Sequence, residues 1–167
     1  MMKNTSFPEQ DEQGAAMNQA RSLWAGIARR AQSAWALFLA TEALSALAYE
    51  MEAYEHYRRI ERAMFTQEQE EEEEEEASKT LRDYGSVLTL LSLASEGWWK
   101  TVGLLQSCAE QSLPALTSKE ALLTGCLAQR LRVMEVSTHI MKLHLAAQES
   151  REVAQTHGGE KGARWHG

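Results

Sequence analysis

Between Tyr84 and Ala109 the chain carries a pattern that only a long helix can use. Tyr84, Leu88, Leu91, Ser95, Trp98, Val102, Leu105 and Ala109 follow one another at alternating steps of four and three. That heptad spacing keeps one seam of side chains on one side of a helix over many turns, where it packs along a near-parallel neighbour. Gly85, Gly97 and Gly103 fall inside this stretch. Each costs about 1 kcal/mol relative to alanine in a helix, and each removes a side chain where a second helix can come close.

The rest of the chain is written in the same manner. Its 167 residues fit one domain, and 44% of them are apolar, enough for one core. Only Pro8 and Pro114 can break a helix by their ring. Ahead of the seam, Leu23, Ile27, Ala34, Phe38, Leu44, Leu47, Met51, Tyr54 and Ile60 recur mostly at helical spacing. A helix over about 15–65 follows. It is long for a globular protein, so a break or kink is expected at Gly26 or in the Arg29-Arg30 region, where the stripe drifts. Seven consecutive glutamates from Glu70 read as a solvated acidic loop over 67–77, because like charges repel and bury nothing.

Ser78 is a suitable cap for a second helix over about 78–112. Leu113-Pro114-Ala115-Leu116 ends that helix, since proline disfavours helical geometry in the residue before it. Thr117 and Glu120 have capping-box spacing. They introduce a third helix over about 117–157, with the broad apolar face of a helix that has two neighbours. Gly158-Gly159 stands where a helix end is expected. Residues 1–14 are expected to be a disordered arm and residues 158–167 a flexible tail. The fold class is therefore all-α: an elongated antiparallel three-helix bundle of the spectrin-repeat kind, with coiled-coil-like packing.

Catalytic chemistry is hard to find in this pattern. The five histidines, His56, His139, His144, His157 and His166, include no pair at metal-binding helical spacing. Glu52–His56 and Glu135–His139 are separated by four residues, not by the three of a di-iron carboxylate bundle. Cys108 and Cys126 flank the proline turn and read as structural thiols. No phosphate-binding or nucleophile-elbow glycine pattern occurs. The net charge of −7 argues against a nucleic-acid surface. No apolar run is long enough for a membrane span. We therefore expect no enzyme, no cofactor, no metal site and no small-molecule substrate.

Function must then lie in surfaces. The packing seam is assigned to Tyr84, Leu88, Leu91, Trp98, Val102 and Leu105. Trp99 points off it and reads as an interface anchor. Trp24, Trp35, Leu37 and Tyr49 lie beside the main stripe of the first helix and mark a candidate self-association surface.

Several of these stretches resemble the Smac/DIABLO family, the mitochondrial antagonists of inhibitor-of-apoptosis proteins. Trp98-Trp99-Lys100-Thr101-Val102-Gly103-Leu104 is similar to the family's Trp-x-x-x-Val-Gly-Leu stretch in its second helix. Tyr54-Glu55-His56-Tyr57 with Met64 resembles the end of the family's first helix. Met17, Ala20, Ser22 and Leu23 resemble its opening, and the acid-rich junction at Glu68–Glu76 falls where the family has an acidic loop.

The resemblance implies a homodimeric, pro-apoptotic protein. It would promote caspase activation by binding the BIR domains of inhibitor-of-apoptosis proteins. It also implies residence in the mitochondrial intermembrane space and release to the cytosol. Family members bind through an exposed Ala-Val-Pro-Ile terminus that adds to a sheet edge. This chain contains no Ala-Val-Pro-Ile, and its opening, Met1-Met2-Lys3-Asn4, carries no presequence pattern. A form of this kind is expected in the cytosol. The alternative reading is a non-enzymatic helical adaptor with no apoptotic role.

Overall fold

The computed structural model describes residues 10–66, 73–115 and 117–166, with side chains over 14–64, 78–115 and 117–156. Among the described residues the chain is a helical bundle without strands. It holds four α-helices: α1 (Gln10–Arg30), α2 (Ala34–Thr66), α3 (Glu73–Ser107) and α4 (Lys119–His166). A short 3-10 turn, Glu110–Ser112, precedes α4.

The expected first helix is divided in two. The break falls directly after Arg29-Arg30, at residues 31–33, and Gly26 stays inside α1. Two arginines in the last turn suit the negative end of α1. Ser33 then starts α2, its Oγ accepting the Ala36 N–H at 3.1 Å. The break resets the phase of the buried face. Ala34 and Phe38, expected on the core stripe, are exposed, while Ala36, Leu39, Ala40 and Ala43 are buried. α1 packs on α2 and brings Met17, Trp24 and Ile27 into the core.

Other boundaries also move. α3 begins at Glu73, so Glu73–Ala77 are helical and Ser78 is no cap. Glutamate is a good helix former, and carboxylates near a helix N-terminus are favoured by its dipole. The remainder of the expected loop, 67–72, lies outside the described residues, as do residues 1–9 of the expected arm. α1 takes up the arm from Gln10.

The cap of α4 is Ser118, whose Oγ accepts the Ala121 N–H at 3.0 Å, one residue later than the expected Thr117 box. α4 runs through Gly158-Gly159 to His166. Glycine ends a helix only where it leaves helical geometry, and it is otherwise tolerated at modest cost. Lys119 fastens the proline turn. Its Nζ donates to the carbonyls of Gln106 at 3.2 Å and Cys108 at 2.6 Å, placing a cation on the carbonyl end of α3.

α3 lies between α2 and α4 and packs along both. Contacts with α2 run in opposite chain directions, from Trp35 at Leu104, through Glu50 at Trp98, to Met64 at Tyr84. The α3–α4 contacts run from Lys119 at Cys108 to Arg130 at Trp99, again antiparallel. A helix with two neighbours buries more than one seam. Tyr84, Leu91, Trp98, Val102 and Leu105 are buried as expected, and Leu88 is half-buried. Residues beside the row are buried as well, namely Val87, Ala94, Thr101 and Cys108, while Ser95 is half-buried and Ala109 exposed.

Small residues allow the α2–α3 approach. α2 turns Ala36, Ala40, Ala43, Ala46 and Ala53 inward. A Cβ placed on Gly97 would come within 2.9 Å of the Ala46 Cβ. Gly85 and Gly103 face open space instead. Gly97→Ala is therefore expected to destabilise the fold by about 1–3 kcal/mol through overpacking. Gly85→Ala and Gly103→Ala should each stabilise it by about 0.5–1 kcal/mol. Urea unfolding of the three variants checks the contrast, and equal effects would refute the close approach.

Candidate functional site

The most polar feature of the core is one carboxylate. Glu50 is fully buried in α2, one turn beyond Ala46. Its Oε2 accepts the Tyr54 hydroxyl at 2.9 Å and its Oε1 accepts the Trp98 indole N–H at 3.1 Å. Burial pushes its carboxyl above the usual range. The two hydrogen bonds and the charge of Arg132 act in the opposite direction. Both oxygens are satisfied from within the bundle, so Glu50 joins α2 to α3. A carboxyl with no exposed surface meets no substrate in this conformation, and its role is structural. Glu50 was not singled out from sequence. The available signal was an acid in the period of Ala46, Leu47 and Ala53, a place where a charged residue normally needs partners.

The other titratable groups are packing residues too. Burial raises the thiols of Cys108 and, to about 12, of Cys126, with the Lys119 charge partly offsetting the first. Protonated, apolar-packed thiols are poor nucleophiles. His139 stands edge-on to Tyr57, with ring centroids 6.3 Å apart. Burial lowers its pKa, against the charge of Glu61 and together with that of Lys142. Tyr57 and Tyr84 are both raised by burial first and by Glu61 second. His157 and His166 carry no described side chains. Among the described residues no three metal-ligating side chains gather, and no helix is long and apolar enough to cross a membrane.

The outer surface holds the remaining candidates. Of the four residues assigned to self-association, Trp24 is in the core at 3% exposure, because α1 packs on α2. Trp35 and Leu37 are exposed near the start of α2, where Trp35 donates its indole N–H to the Leu104 carbonyl at 3.3 Å. Tyr49 is half-buried. Trp99 is 56% exposed, and the Arg130 guanidinium of α4 stacks 4.8 Å from its ring centroid. The pair lies in a shallow cleft between α3 and α4, floored by Leu88, Met134 and Met141. Tryptophan, arginine and methionine are the side chains enriched at protein interfaces. The sequence pointed to Trp99. It did not point to Arg130, which reaches Trp99 from a helix distant in the chain.

Truncating Glu50 should be costly. Glu50→Ala removes the acceptor shared by the Tyr54 hydroxyl and the Trp98 indole N–H and is expected to lose about 1–3 kcal/mol. Glu50→Gln keeps an acceptor and should lose less. The raised carboxyl pKa also sets a pH dependence. The buried site prefers the protonated form, so its contribution is fully present below the unfolded carboxyl pKa. It declines as pH rises through the higher folded value. Unfolding free energies of wild type and Glu50→Gln, compared between acid and neutral pH, should therefore diverge in favour of wild type toward acid. A pH-independent difference would refute this account.

The chain matches no family model, no curated protein and no solved structure.

Proposed function

We propose that this chain is a non-enzymatic regulator of the Smac/DIABLO kind, acting as a dimer and promoting caspase activation by binding inhibitor-of-apoptosis proteins. The observation that carries the reading is the Trp98–Leu104 stretch. It matches the family's pattern in sequence, and its residues divide as a helical scaffold with an outer recognition face requires. Trp98 and Val102 pack in the core, while Trp99 stays outside under Arg130. In this reading α1 and α2 together form the first element of an elongated spectrin-repeat-like three-helix bundle, with α3 and α4 as the second and third. The same resemblance assigns the chain to the mitochondrial intermembrane space, with release to the cytosol.

No Ala-Val-Pro-Ile occurs, so binding to a BIR domain would use the bundle surface or a mixed dimer with a relative that carries the tetrapeptide. An immobilised BIR domain should retain the purified chain, alone or mixed with such a relative, and caspase activity should rise in a reconstituted inhibition assay. Binding by the chain alone should survive an excess of free tetrapeptide. Absence of retention in both settings would refute the apoptotic role.

A second reading is a helical adaptor without BIR affinity. It is favoured by the row of exposed apolar residues on α4. A partner captured through that row by a chain that ignores BIR domains would support it.

A further inference from the structure

α4 carries two apolar rows. The inner one, Leu122, Cys126, Gln129, Val133, Val136 and Ile140, is buried against the bundle. The outer one is Leu127, Leu131, Met134, Thr138, Met141 and Leu145, again at alternating steps of four and three. At 100° per residue, the outer row lies about 140° around the helix from the inner one. Its five apolar members are 44–59% exposed. Thr138 interrupts it harmlessly, because its hydroxyl already donates to the Met134 carbonyl at 3.0 Å.

We infer that this outer row is the seam of a two-stranded, parallel, in-register coiled coil between α4 helices of two copies of the chain. The inference names the face used in the self-association proposed above, and it stands apart from BIR binding.

Two observations select this occupant and this orientation. The first is area. About half of each of five leucine and methionine side chains amounts to on the order of 500 Å² per copy, so two copies reach the roughly 1,000 Å² that a specific interface must clear before the flanks are counted.

The second is charge. In heptad terms Arg130 and His144 occupy g, and Glu135 and Glu149 occupy e. A parallel pair sets each g residue beside the e residue of the next heptad on its partner. Arg130 then meets Glu135 of the second copy, and His144 meets its Glu149. An antiparallel pair with the best apolar match would set Glu135 against Glu135.

Sedimentation of the full chain should show a monomer–dimer equilibrium that moves with concentration in the micromolar range. Arg130→Glu and Glu135→Arg, each alone, should weaken the dimer by about ten-fold, and the double variant should restore it. Met134→Cys should give a disulfide-linked dimer on mild oxidation, since a parallel register places two copies of that position face to face. Circular dichroism identifies any variant that fails to fold, and the exposed Glu135 and Met134 positions keep the test open if Arg130→Glu does.

A chain that stays monomeric at the highest concentration overturns the inference. So does a dimer that ignores both charge reversals and fails to cross-link through Met134→Cys, which would place self-association elsewhere, on the Trp35–Leu37 face for example. BIR retention by a strictly monomeric chain overturns the seam and leaves the apoptotic reading intact.

Discussion

The approach of α2 to α3 at Ala46 and Gly97 is the constraint on which the rest of the bundle hangs. Two helices come this close only where neither places a large side chain between them. α2 meets the requirement with five buried alanines, and α3 meets it with a glycine at the tightest point. The close approach also fixes the surroundings of the next turn. Glu50 follows Ala46 on the same face of α2, and Trp98 follows Gly97 on α3. The indole N–H therefore falls 3.1 Å from the Glu50 carboxylate. A wider spacing would leave the buried acid with its Tyr54 partner alone, at a cost in unsatisfied polarity.

With that contact set, the position of α3 follows. It has α2 on one side and α4 on the other, and it buries residues on a face too broad for one heptad seam. Tyr84, Leu91, Trp98, Val102 and Leu105 keep the roles their spacing gives them, while Leu88 and Ser95 are half-buried and Ala109 is exposed. A seam read as a/d fixes the direction of a helix face. Its width depends on how many neighbours the helix has, and that number is a property of the assembled bundle. Val87, Ala94 and Thr101 are buried on the flank of α3 that also carries Gly97, the glycine that meets Ala46 of α2.

Helical class, the seam of α3, the proline turn and a break near Arg29-Arg30 were legible because each is written in local spacing or local chemistry. The features that were not legible depend on tertiary phase. Phe38 reads as core in a continuous helix. Once residues 31–33 interrupt it, α2 starts in a new phase and Phe38 faces outward. Trp24 reads as off-stripe for the same reason and becomes core when α1 packs on α2. The glutamate run shows the converse error. Charge density argues for a loop, but propensity and the helix dipole extend α3 back into it. Arg130 stacking on Trp99 joins residues 31 positions apart, and no short-range pattern announces it.

α4 is where these arguments meet. Its sequence looks broadly apolar, which suggested a helix enclosed by neighbours. The structure divides that breadth into two rows: the inner one is buried, while the apolar members of the outer one stay 44–59% exposed, Met134 and Met141 bordering the cleft to α3. Scattered apolar residues on a surface are ordinary, because there is never enough polar surface to cover a protein. A row is different. Six positions at heptad spacing, bounded by Thr124 and Gln148 and flanked by alternating charge, have the periodicity of the buried rows of α3 and α4. The bundle uses that periodicity wherever one helix lies along another. Left bare, the outer row would expose an apolar stripe about 27 Å long. A second α4 running alongside in the same direction covers it with the chain's own residues and sets Arg130 beside Glu135 of the second copy.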